Sequence, residues 1–98
     1  MGVEFRMIVF AVAVAADIPS CDILSTCRRA DLVRCRSAIA WLARKYQRNG
    51  TFERIGKQLG IHHTSVMNLV RRVEDDRYNV KPLIEEAIKE LERNNADL

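Results

Sequence analysis

Apolar residues recur every three or four positions along this chain, and no stretch alternates with period two for long enough to argue a strand. The first run, from about Val3 to Ala16, puts Phe5, Ile8, Val9, Val12 and Ala16 on one helical face and stops before Pro19. Ser20 is placed to cap a short second helix through Leu24, with Asp22 in its first turn, where a negative charge suits the helix dipole. The longest run, from about Asp31 to Arg48, aligns Leu32, Cys35, Ile39, Leu42, Ala43 and Tyr46, and the Asn49–Gly50 pair reads as its stop. Thr51 then caps a fourth helix, Phe52 to Leu59, which Gly60 ends. A fifth begins near His63 with Val66, Leu69, Val70 and Val73 inward and frays at Glu74–Asp76. Pro82, tolerated at a first helical position, opens a last helix to about residue 94, with Leu83, Ile84, Ala87, Ile88 and Leu91 on one side and a Glu85–Lys89 i,i+4 pair. The pattern predicts an all-α bundle of five to six helices.

Length and charge sharpen this. Ninety-eight residues make a single domain, 1–98, with one modest core. Residues 28–72 hold eleven Lys or Arg against two acidic residues, a local charge of +9, whereas residues 1–27 sum to −2 and residues 73–98 to −4. A basic middle between acidic ends implies one cationic face and a polyanion partner, foremost nucleic acid. Cys21, Cys27 and Cys35 are odd in number and lack a CxxC pairing, so free, packed thiols in a reducing compartment are expected. Residues 7–16, MIVFAVAVAA, resemble the apolar part of an export signal. Glu4 beside Arg6 removes the positive charge such a signal needs, and ten residues cannot span a bilayer. They are expected to be a core helix of a cytoplasmic protein with no membrane partner, export being the alternative. Phe10 and Phe52 are expected to pack in the core, and Trp41 in the core or against a partner rather than on a base.

The chemistry concentrates in residues 60–73, GIHHTSVMNLVRRV. Two short helices separated by a Gly-containing turn match a helix-turn-helix, over about 52–75, whose second helix enters the DNA major groove by its N-terminal end. With Val66, Leu69, Val70 and Val73 inward, Thr64, Ser65, Asn68, Arg71 and Arg72 cannot all be buried as well and several must project, while His63 supplies a ring nitrogen. Hydroxyls and a ring nitrogen can meet base edges or phosphates, and the arginines can follow the backbone. An enzyme built on His62, His63 and a cysteine is disfavoured, because adjacent histidines on a helix point about 100° apart. The cysteine and histidine spacing fits no zinc site. The chain carries no GxxxxGK(S/T) loop and no room for an ATPase module, so no enzyme activity and no cofactor are expected. A protein-interaction module whose basic face docks an acidic partner is the alternative to DNA binding.

The stretch RCRSAIAWLARKYQRNGTFERIGKQLGIHHTSVMNLVRRVE resembles the C-terminal DNA-binding domain of the bacterial chromosomal replication initiator DnaA. FERIGKQLG lines up with that family's L-P-x-I-G-x-x-F-G block, IHHTSV with its R-D-H-T-T-V, and IPSCDILSTCRR upstream with its I-x-x-x-D-L-x-S-x-x-R. The likeness runs from about residue 5 to 91. It implies double-stranded DNA as partner, with His63, Thr64 and Ser65 at bases and phosphates of the major groove and Arg28 in the minor groove; Arg29, the second member of that basic pair, is a further DNA-binding candidate. Arg36 and Ser37 match backbone contacts, and Arg44 matches a basic position that can meet phosphate. It further implies a regulator of replication or transcription, with another protein of that process as a second candidate partner, read as a free-standing chain or as an excised domain. Oligomeric state is left open. His62 replaces the family's Asp, which caps the helix and contacts a base; a histidine cap costs roughly 0.5–2 kcal/mol if its ring finds no backbone amide. Ile61 replaces an arginine, Glu53 a proline, and one turn glycine is missing.

Overall fold

The structure, a computed structural model, describes residues 3–25, 27, 29–47, 50–75 and 79–94. Six helices hold most of these residues: α1 (Phe5–Ala16), α2 (Ser20–Ile23), α3 (Ala30–Tyr46), α4 (Phe52–Leu59), α5 (His63–Glu74) and α6 (Val80–Asn94). The all-α architecture follows the apolar spacing. α3 is the axis of the molecule and packs against each of the other five helices. Burial on nearly every side explains its composition: Leu32, Cys35, Ala38, Ile39, Ala40, Leu42 and Ala43 are all removed from solvent, and the alanines let neighbours approach closely. α1 and α6 rest on each other and on α3, while α5 rests on α3 and α4.

α1 buries Ile8, Val9, Ala11 and Val12. At about 100° per residue, Phe10 falls about 200° from Ile8, opposite that arc. It is 56% exposed, which corrects its expected place in the core. Cys21 and Cys27 are likewise exposed rather than packed; Cys35 alone of the three is buried. Among the described residues, no helix is long and apolar enough to cross a membrane.

The start of α2, the end of α3 and the start of α6 depart from what the spacing predicts. Ser20 is the first residue of α2, and Pro19 holds the N-cap with no side-chain cap bond. α3 ends at Tyr46 rather than Arg48, because Gln47 turns extended and brings Gly50 back over the last turn. A Cβ on Gly50 would lie 2.5 Å from the Ala43 carbonyl oxygen, so a side chain there would block the return. α6 starts two residues before Pro82. Asn79 adopts a left-handed φ of 57°, and the Arg34 guanidinium on α3 donates to its carbonyl at 3.1 Å. Pro82 then falls third in the helix, still among the first four positions whose amides have no helical acceptor. Lys89 pairs with Glu86 at 3.4 Å rather than with Glu85.

Candidate nucleic-acid interface

α4, a three-residue turn (Gly60, Ile61, His62) and α5 form the expected helix-turn-helix. Thr51 Oγ1 accepts the Arg54 amide at 3.1 Å and caps α4. At the far end Gly60 takes φ 71°, and the Ile61 amide reaches back to the Gly56 carbonyl at 2.8 Å, closing the helix as glycine stops do. Gly56 has a second task. A Cβ there would stand 2.6 Å from the Ile61 carbonyl oxygen and 3.4 Å from the His63 amide nitrogen. The first helix therefore crosses the turn backbone at a distance that only hydrogen at position 56 permits. Beside it Ile55 is fully buried.

His62 is the N-cap of α5. Its Nδ1 accepts the Thr64 amide at 3.2 Å and lies 2.9 Å from Thr64 Oγ1. The imidazole thus finds the backbone amide whose absence would have made it a poor cap, at the second helical position where good caps bond. Because His62 stands outside the helix with extended backbone, its ring is not splayed from that of His63. The centroids are 4.2 Å apart with planes tilted by 37°, which corrects the expectation of divergent rings. Ile61, half-buried and packed against the core, precedes the cap, and buried Val66 sits at the fourth helical position, the pair of places where apolar residues commonly staple a helix start.

With Val66, Leu69, Val70 and Val73 turned to α3 and α4, the rest of α5 faces water. His63, Thr64, Ser65, Asn68 and Arg71 are exposed, and Arg72 is half-buried. Met67 belongs to this face as well, 38% exposed between Thr64 and Arg71. Its apolar type hides it in the sequence, although it lies outside the inward set. Arg54 and Lys57, one turn apart on α4, are also exposed; only the density of basic residues signals them in the sequence. Between Thr51 and Val73 the sequence sets Arg54, Lys57, Arg71 and Arg72 against Glu53 alone, so the face is cationic.

The remaining candidates divide. Arg29 is exposed at the N-cap of α3, 3.3 Å from Asp31. Arg44, exposed, donates to the Gly50 carbonyl at 3.0 Å and stacks over the Phe52 ring at 4.3 Å, tying α3 to the start of α4. Arg36 turns its guanidinium onto the carbonyls of Ile23 (2.7 Å) and Ser25, so it holds the end of α2 against α3. Ser37 is fully buried and cannot reach a phosphate; it lies on the part of α3 enclosed by other helices, a correction of its expected backbone contact. Arg28 lies outside the described residues. No group of three or more His, Cys, Asp or Glu that could hold a metal occurs among the described residues. Burial raises the Cys35 thiol pKa, with the Arg34 charge opposing, Asp31 adding to the rise and Arg36 opposing it.

Compared with known families, residues 5–73 match the family described as bacterial DnaA protein helix-turn-helix. No curated protein matches the chain.

Proposed function

Since the chain belongs to the bacterial DnaA helix-turn-helix family, whose members bind DNA, we propose that it recognises double-stranded DNA by sequence, with the N-terminal end of α5 in the major groove. The observation that carries this reading is the tip of α5: His63, Thr64, Ser65 and Asn68 stand exposed on a rigid helix held from behind by α3 and α4. Four hydrogen-bonding side chains on one projecting end supply the donors and acceptors that base edges require. Arg71, Arg54 and Lys57 flank them as phosphate partners. Arg29, at the start of α3, and Arg28 beside it in sequence extend the contact toward the minor groove. The regulated process is replication or transcription, through occupancy of initiator-type sites, in the bacterial or phage-infected cytoplasm. The 98 residues carry no GxxxxGK(S/T) loop, so ATP-driven melting is not part of the activity proposed for them.

Fluorescence anisotropy against duplexes with and without initiator-type boxes tests this. Tighter binding to the box is expected, and His63→Ala with Thr64→Ala should cost about 1–3 kcal/mol for each base-edge interaction removed. Equal, weak binding to both duplexes leaves only non-specific attraction and overturns the reading. Function that survives the double variant favours a basic face docking an acidic protein.

A further inference from the structure

Resting on the duplex-DNA reading above, we propose that His62 reads one base as a hydrogen-bond donor, favouring guanine and rejecting cytosine at that position. The cap fixes which edge of the ring does what. A backbone amide can only donate, so the Nδ1 that receives the Thr64 N–H carries a lone pair, and the neutral imidazole keeps its proton on Nε2. Thr64 Oγ1 stands 2.9 Å from the same nitrogen, on the helix side of the ring. The His63 ring, 4.2 Å away, limits rotation from the side. Thr64 and His63 thus hold the imidazole with Nδ1 toward the helix. Nε2–H, on the opposite edge, is left to an exposed residue at the extreme tip of α5.

In the major groove guanine offers two adjacent acceptors, N7 and O6. Adenine and thymine offer one each, and cytosine offers only its amino donor. An outward N–H can therefore bond three of the four bases, guanine best, and meets a like donor at cytosine. A carboxylate at the same position would cap the helix equally well and present only acceptors, which inverts the preference.

Parallel selection from a random duplex pool with the full chain tests this, using wild type, His62→Asp and His62→Asn. Both replacements are strong N-caps, so α5 forms in all three, and circular dichroism with thermal unfolding verifies it. The Asn side chain can accept the amide through its oxygen and turn its NH2 outward, so it preserves the donor. We expect a shared motif in which one position favours guanine over cytosine by about 5- to 150-fold for wild type. His62→Asn should retain that preference, and His62→Asp should shift the same position to cytosine. An identical motif from all three proteins overturns the proposal while leaving DNA reading intact, as does loss of the preference in both variants alike. Failure of wild type to enrich any motif overturns the DNA-reading premise itself.

Discussion

Ser37 carries a hydroxyl that is fully buried and meets no hydrogen-bond partner. Leaving such a group unsatisfied costs about 1–3 kcal/mol, so Ser37→Ala is expected to raise the midpoint of urea unfolding and leave DNA affinity unchanged. A loss of affinity without loss of stability would return Ser37 to the interface. Cys35 gives a pH signature. Its thiol pKa is raised in the folded protein, chiefly by burial, so above the ordinary thiol range the unfolded chain loses this proton first. The stability contributed by the neutral thiol is complete below that range and declines as pH rises toward the folded value. Urea unfolding from about pH 7 to about pH 10 should show a fall that Cys35→Ala reduces. At this scale the sequence tells residue types but not sides. His62, Thr64 and Ser65 are legible because their neighbours Val66, Leu69 and Val70 define an inward face. Ser37 and Arg36 are not, because each depends on which other helices close around it, whereas the exposure of Phe10 follows from its offset from Ile8 on α1.

The α4–α5 pair owes its geometry to two glycines with different tasks. Gly60 supplies a positive φ, and Gly56 lets the first helix touch the turn. At Gly56 the obstructing atom is the Ile61 carbonyl oxygen, which belongs to backbone and cannot swing away. Gly56→Ala is therefore expected to destabilise the domain by about 1–3 kcal/mol and to weaken DNA binding further by tilting α5. Thermal unfolding and anisotropy measured together separate the two effects, and unchanged values of both would contradict the close crossing. Elements read well where periodicity and caps agree: α4 begins after Thr51 and ends before Gly60, as the residues suggest. The end of α3 and the start of α6 escape because tertiary contacts decide them, the return of Gly50 over Ala43 and the Arg34 grip on Asn79. The Ile-Gly signal at residues 55–56 acquires its reason only from the packing.

Across the whole molecule the basic middle of the sequence does not form one undivided surface. Arg36 and Arg44 bond carbonyls of their own chain, whereas Arg54, Lys57 and Arg71 are exposed on the helix-turn-helix. Each of the latter that meets a phosphate should contribute about 0.9 to the slope of log affinity against log salt. Arg71→Ala is thus expected to lower the slope by about 1 and weaken all duplexes alike, whereas Thr64→Ala should act on the preferred sequence. A slope unchanged by Arg71→Ala would remove that residue from the backbone contact. Where DNA touches the protein can be followed residue by residue in an amide chemical-shift titration of the isotope-labelled chain with a bound duplex. The largest shifts are predicted at His63 to Asn68 and at Arg71, with the outer faces of α1 and α6 quiet. Shifts centred on α1 or α6, with the tip of α5 unmoved, would contradict recognition through the helix-turn-helix.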